Sequence, residues 1–151
     1  MVEVNTVHVW LLLAYKVPRD PTANRVYVWR KLKRLGAILL HDSIWVLPAT
    51  PQTKEQLQWL STEIVELGGE FSLWESRLVL DGQQDEALVQ RFQAAAEASY
   101  QEILAELKRK KPDLAGLSKR FQQAQAQDYF HCELGKRVRE ALLAAKGEPK
   151  P

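Results

Sequence analysis

The amino-acid sequence predicts an α+β protein, in which a ferredoxin-like βαββαβ domain is followed by a helical C-terminal extension. Before residue 81, four short apolar runs and two helix-like patterns occur in the order strand, helix, strand, strand, helix, strand. After residue 82 the composition changes to Ala, Gln, Glu, Lys and Leu, which are good helix formers. We therefore expect a ferredoxin-like domain over residues 5–81, a helical extension over 82–146 and a disordered tail over 147–151.

The first strand and helix are predicted by a change from a continuous apolar run to helical spacing. Residues 7–15 are almost all aliphatic or aromatic, which is typical of a strand buried on both faces. In residues 22–35, apolar side chains recur every three or four positions, which predicts an amphipathic helix. Thr22 is the expected N-terminal cap of this helix, and Gly36 is its expected end.

A hairpin, a second helix and a last strand complete the predicted domain. Residues 37–41 and 44–48 are two short apolar runs around Asp42-Ser43, which indicates a tight hairpin. Residues 52–67 again show apolar positions at helical spacing. Residues 70–80 alternate between apolar and polar side chains with some irregularity, which predicts a half-buried strand.

The extension is expected to contain three helices, over about 85–110, 114–127 and 134–145. The first carries a continuous apolar seam and ends in the basic run Lys108–Lys111. Because basic side chains are favourable near the C-terminal end of a helix dipole, we interpret this run as a dipole complement rather than a binding patch.

The Trp residues suggest contacts within the sheet and between copies. Trp10, Trp45 and Trp74 fall on predicted strands and are expected in the core or in contact with a second copy. A homodimer is expected because four short strands leave an exposed sheet face or edge. Trp29 and Tyr27 fall on the first helix and are candidates for contact with a base or sugar.

Cysteine count and hydropathy narrow the class of protein. A lone Cys132 among 151 residues excludes an internal disulfide framework, and no Cys/His group has the spacing of zinc ligands, so no metal or cofactor is predicted. No apolar run is long enough to span a membrane, and no secretory leader is evident. We expect a cytoplasmic protein without membrane insertion.

A dense basic cluster is the main functional signal. Residues 16–34 contain seven basic residues and one acidic residue, Asp20, whereas the whole chain carries a net charge of +2. Such a cluster suits nucleic-acid phosphates or a small oxyanion such as chromate or sulfate, although a merely solvated helix face is the alternative. The predicted binding residues are Lys16, Arg19, Arg25, Arg30, Lys31, Lys33 and Arg34.

Two other groupings carry less weight. His41, Asp42 and Ser43 resemble the members of a hydrolytic triad, but three consecutive turn residues do not converge as a nucleophile, base and orienting group must. His131-Cys132 would suit a soft metal or an activated thiolate, but further ligands are missing, so packing at a helix end is favoured. No catalytic residue is predicted.

The stretch from Trp10 to Leu80 resembles the N-terminal domain of the chromate-resistance protein B family. The resemblance is carried by the segments AYKVP, RVYVWRKLKRLGA, SIWVLPATP and EIVELGGE. The stretch is also distantly similar to the ferredoxin-like domains of CRISPR-associated endoribonucleases and to the C-terminal part of phenylacetate-degradation repressors. In the nuclease-like relatives an acidic residue at the end of the first strand is expected to hold a divalent metal. Here Tyr15-Lys16 stands there, which argues against metal-dependent cleavage.

The resemblance implies a chromate-responsive transcription regulator that accompanies a chromate efflux protein. Combined with the basic cluster, it predicts a non-catalytic protein that binds nucleic acid, DNA in the first place, through its first helix. Two alternatives remain: an interaction module of a chromate transport or sensing system, and an enzyme such as a metal-dependent nuclease or a chromate reductase. The sequence leaves open whether the partner is DNA, RNA or an acidic protein. It also leaves open whether this chain or a further C-terminal domain, as in longer family members, senses chromate.

Overall fold

The computed structural model describes residues 8–79 and 82–147, in which four strands and five helices occur. The chain divides into two compact units, with the boundary between Asp85 and Glu86. The helices and strands are β1 (Trp10–Lys16), α1 (Thr22–Leu35), β2 (Ile38–Leu40), β3 (Ile44–Pro48), α2 (Pro51–Glu66), β4 (Glu70–Ser76), α3 (Gly82–Leu107), α4 (Leu114–Gln127) and α5 (Leu134–Ala145).

The first unit has the predicted α+β, ferredoxin-like architecture. Its four strands form one antiparallel sheet in the order β2-β3-β1-β4, so that β1 lies between β3 and β4. Leu13 of β1 stands opposite Trp45 of β3 and Leu73 of β4. Since side chains alternate along a strand, Leu11, Leu13 and Tyr15 share one face of the sheet.

The helices of the first unit begin and end where local chemistry favours it. Gly36 ends α1 with a left-handed φ of 80°, which glycine adopts without steric cost. At the start of α2, the Thr50 side chain accepts a hydrogen bond from the Thr53 backbone N–H, and the Thr53 hydroxyl in turn accepts one from the Thr50 backbone N–H. Both bonds satisfy donors that a helix start would otherwise leave unpaired.

The second unit contains a helical core. Its buried cluster draws on α3, α4 and α5, and includes Tyr100, Phe121 and Val138. The Tyr100 hydroxyl donates a hydrogen bond of 2.8 Å to Asp128, and the Cys132 backbone N–H donates one of 2.9 Å to the same carboxylate. The helical C-terminal region is therefore confirmed, and α4 and α5 have the predicted bounds.

Several predicted details were wrong. Thr22 is the first residue of α1 rather than its cap; Pro21 holds the cap position and makes no side-chain capping bond. The hairpin turn is centred on His41 and Asp42, which both have left-handed φ, rather than on Asp42-Ser43. Of the two alternatives predicted for Trp74, the core or contact with a second copy, its 61% exposure excludes the core.

Shifts of a few residues affect three other elements, and β2 and α2 differ from the predicted bounds by one residue at each end. β1 starts at Trp10 rather than at residue 7, β4 ends at Ser76, and α3 runs over Gly82–Leu107 instead of 85–110. The predicted strand end at residue 80 and most of the expected disordered tail, residues 148–151, lie outside the described residues.

Candidate functional site

The predicted binding residues lie at the end of β1, in the segment that follows it, and along α1. Lys16 ends β1, Arg19 lies between the two elements, and the other five are on α1. All are exposed except Lys31, which is half-buried. Because the apolar side chains of Val28 and Leu32 are fully buried, the core fixes the helix rotation that presents the basic side chains outward.

Six of these seven residues line two concave surfaces, three on each. The first, which we name the basic cleft, has a volume of about 770 Å³. It combines residues from the end of β1, the following segment, α1 and the β2–β3 hairpin. The cleft is lined by Tyr15, Lys16, Val17, Arg19, Thr22, Arg25, Val26, Trp29, Leu39, Asp42, Ser43 and Trp45.

The second surface, which we name the outer groove, runs along α1 and has a volume of about 680 Å³. It is lined by Ala23, Val26, Tyr27, Arg30, Lys31 and Arg34. Val26 borders both surfaces. The division follows from helix geometry: at about 100° per residue, Arg25 and Trp29 project to one side of Val26, whereas Arg30 and Arg34 project to the other.

The cleft has aromatic walls as well as cations. Trp45 is only 5% exposed, because β3 lies within the sheet, while Trp29 on α1 is 48% exposed. Tyr15 is half-buried, and this burial raises the pKa of its hydroxyl, although the neighbouring Trp45 indole and the positive charge of Arg25 oppose the rise. Tyr15 is therefore a neutral phenol at physiological pH.

Charge in the cleft is predominantly positive. Lys16, Arg19 and Arg25 contribute three cations, and Asp42 is the acidic residue among the lining side chains. Asp42 and His41 have φ of 64° and 50°, a conformation that non-glycine residues adopt infrequently. The turn holds Asp42 and Ser43 at the cleft, which is a role in shape and charge rather than in a catalytic triad.

The outer groove is anchored by contacts between side chains. The Tyr27 hydroxyl donates a hydrogen bond to the Glu63 carboxylate on α2, and this bond raises the pKa of Tyr27. The Lys31 ammonium lies 5.5 Å from the centre of the Tyr27 ring. Lys33 lines neither surface, and its ammonium lies 5.7 Å from the centre of the Trp29 ring, which is cation–π distance.

Sequence reasoning missed both the aromatic lining of the cleft and a buried polar cluster in the first unit. Asp85 is 3% exposed and accepts hydrogen bonds from the Trp10 indole at 2.8 Å and from the His8 backbone at 3.2 Å; the His8 ring nitrogen lies 2.6 Å from it. Burial alone would raise the pKa of Asp85, but these hydrogen bonds hold it below its ordinary value. The only sequence signal was an acidic residue at the start of a predicted helix.

His131 and Cys132, which the sequence offered as another possible site, lie in the second unit. Cys132 is half-buried beside Asp128 in the second unit, and His131 has a φ of 53°. Within residues 8–79 and 82–147, no three His, Cys, Asp or Glu side chains are grouped as a metal site would require. In the same part of the chain, no helix is both long and apolar enough to cross a membrane.

Comparison with known proteins identifies relatives of a region that includes most of α1. A family described as "Protein ChrB, N-terminal" matches residues 25–128. Protein ChrB of Cupriavidus metallidurans is 33% identical over 98 residues, which is 65% of this chain and 29% of that protein. The chain thus spans less than a third of the length of this relative. No solved structure matches, and the more distant likenesses to endoribonucleases and repressors stay predictions.

Proposed function

The chain belongs to the ChrB family of chromate-resistance proteins, whose N-terminal part it matches, and on this premise we propose that it is a regulator that binds nucleic acid through α1. The binding residues in this proposal are the seven basic residues between positions 16 and 34. Phosphate contacts of this kind supply affinity and position without reading sequence. DNA is the first expected partner.

The strongest support for this proposal is the basic lining of the outer groove. Arg30, Lys31 and Arg34 line one continuous concave surface without an acidic lining residue. Arg30 and Arg34 are one helical turn apart, and both residues are exposed. Guanidinium groups suit phosphate because they donate in a planar, bidentate geometry.

The test is fluorescence anisotropy of labelled duplex DNA over a range of salt concentrations, with the wild type and Arg30→Glu/Arg34→Glu. Each phosphate contact contributes about 0.9 to the slope of log K against log salt, so the double variant should lower the slope by about 2. Two lost contacts correspond to roughly 60-fold weaker binding at 0.1 M salt. The same titrations with and without chromate test whether chromate weakens DNA binding.

A matched control is available on α5. Lys136→Glu/Arg137→Glu makes the same change in net charge at two exposed positions of the second unit. Binding by this variant should change little. Equal losses in the two double variants would mean that total charge, not α1, governs binding. No duplex binding by the wild type at low salt would contradict the proposal and favour an acidic protein partner, as in the interaction-module alternative.

The enzyme alternatives have separate tests. A metal-dependent nuclease would cleave nucleic acid only with a divalent cation, and a chromate reductase would lose chromate reduction on Cys132→Ser. The oxyanion prediction is tested by titration with chromate or sulfate alone. Since the basic cleft is much larger than a four-oxygen dianion, we favour nucleic acid over the oxyanion as the main ligand.

A cytoplasmic homodimer completes the proposal. β2 and β4 are the edges of the sheet, and Trp74 on β4 is 61% exposed, which suits contact with a second copy. Light scattering coupled to size exclusion should give the mass of two chains for the wild type and of one chain for Trp74→Glu. A monomeric wild type at the concentrations of the DNA assay would exclude the dimer.

A further inference from the structure

The basic cleft differs from the outer groove in ways that point to a different ligand. A surface for duplex phosphates needs repeated cations along a line, as on α1. The cleft instead brings three cations together with three aromatic rings, those of Tyr15, Trp29 and Trp45. Its volume of about 770 Å³ is in the range of small-molecule sites.

The combination of cations and aromatic rings selects among anionic ligands. Lys16, Arg19 and Arg25 favour a phosphate or another oxyanion by charge-assisted hydrogen bonds. An inorganic oxyanion would use these residues but would have no use for the apolar walls. A planar, heteroaromatic group would use the walls, because bases stack favourably on aromatic side chains. The 48% exposed Trp29 offers such a surface next to Arg25 on α1.

We propose that the basic cleft binds a nucleoside phosphate, with Arg19 and Arg25 holding the phosphate and Trp29 stacking against the base. Arg19 and Arg25 are also among the seven basic residues proposed above for nucleic acid, but the proposal for the cleft does not depend on duplex binding by the outer groove. The same chemical unit has two sources: a free nucleotide, or an unpaired nucleotide at an end or in a single-stranded part of a nucleic acid.

The first experiment is isothermal titration calorimetry of the full chain with AMP, adenosine and inorganic phosphate at constant ionic strength. Because the cleft offers contacts to both parts of the ligand, AMP should bind at least roughly tenfold more tightly than either fragment. If inorganic phosphate binds as tightly as AMP, or if AMP does not bind at millimolar concentration, the proposal is overturned.

Two variants test which side chain contacts the phosphate and which one stacks against the base. Arg25→Gln should weaken AMP binding by roughly 10-fold or more and leave adenosine unchanged, since only the phosphate contact is lost. Trp29→Ala should weaken both AMP and adenosine by roughly 5- to 150-fold, because the stacking surface is lost. Arg25 and Trp29 are exposed, so both variants should fold; thermal unfolding followed by circular dichroism checks this.

Matched control variants test whether a loss of AMP affinity is specific to residues of the cleft. Arg137→Gln removes an exposed Arg outside the cleft, and Trp59→Ala removes an indole that is 66% exposed on α2. Neither should change AMP affinity. If a control variant loses as much affinity as its partner in the cleft, AMP binds elsewhere and the assignment is wrong.

A last comparison distinguishes the sources and separates this proposal from the previous one. A single-stranded hexamer of deoxyadenylate that binds at least tenfold more tightly than AMP, and loses affinity on Trp29→Ala, identifies an unpaired nucleotide of a strand. Equal or weaker binding of the hexamer identifies a free nucleotide. Arg30→Glu/Arg34→Glu should lose duplex DNA yet keep most AMP binding. Loss of AMP binding to the same degree as duplex binding would contradict a separate cleft site.

Discussion

Substitution of Asp85 tests how far one buried carboxylate stabilises the first unit. Trp10 is 2% exposed, and its indole donates a 2.8 Å hydrogen bond to this carboxylate. A hydrogen bond to a charged group contributes about 1.5–3 kcal/mol. The contacts with His8 add less, because the His8 side chain is 34% exposed and solvent weakens its interaction. Since the carboxylate regains hydration on unfolding, we expect Asp85→Ala to cost about 2–3 kcal/mol.

The assay is urea unfolding followed by Trp fluorescence. All five Trp residues precede Asp85, so the signal reports the first unit alone. Asp85→Asn keeps an acceptor for the Trp10 indole but loses the charge, and should cost roughly half as much as Asp85→Ala. Glu86→Ala, an exposed neighbour, should change the free energy of unfolding by less than about 0.5 kcal/mol.

The contribution of Asp85 also depends on pH in a defined direction. The pKa of its carboxyl is lower in the folded chain than the ordinary value of 3.8, so the unfolded chain takes up the proton first as pH falls. Stabilisation is therefore present above about pH 4 and is lost as pH falls through the lowered pKa. The difference in stability between the wild type and Asp85→Ala should accordingly narrow as pH falls below about 4, because the part that depends on the charge is lost. An unchanged difference there, or a cost of Asp85→Ala below about 0.5 kcal/mol at pH 7, would refute the reasoning.

Three further substitutions probe other parts of the fold. Thr50→Ala should destabilise the first unit by about 1 kcal/mol in urea unfolding, because it removes the cap of α2. Gly69→Ala should cost more, about 1–3 kcal/mol, since its Cβ would lie 2.4 Å from the Lys16 carbonyl oxygen; an Ala variant as stable as the wild type would contradict this close approach. Tyr100→Phe should cost about 1–2 kcal/mol by removing the bond to Asp128, measured by circular dichroism at 222 nm.

Much of the fold was predictable because local signals agreed with tertiary structure. Gly36 marks the end of α1 with the αL conformation that glycine favours, and the predicted bounds 22–35 are confirmed. The bounds 114–127 and 134–145 are also confirmed, because apolar periodicity in these segments matches the buried cluster. The prediction that Thr22 caps α1 was wrong, because residue preferences at the cap position are only statistical and Pro21 occupies that position here.

The basic cleft was not predictable in the same way, because it depends on pairing across long stretches of sequence. Tyr15 and Trp45 are 30 residues apart, and they come together through the antiparallel register that sets Leu13 opposite Trp45. The helical spacing of residues 22–35 predicts α1 and its basic residues but gives no information on which neighbours lie beside Arg25. The exposure of Trp74 was not predictable either, because apolar composition indicates a strand but does not tell which face of that strand is covered.

The two proposed surfaces are not electrically independent, because they share one helix. Arg25 and Arg30 are five residues apart, which is about 7.5 Å along the axis of α1. This separation is comparable to the Debye length of about 8 Å at physiological ionic strength. A phosphate held at Arg25 would therefore lower the positive potential that the outer groove offers to duplex DNA. The two ligands should then oppose each other at low salt and become independent as salt shortens the Debye length, whereas direct competition for one site would persist at all salt concentrations.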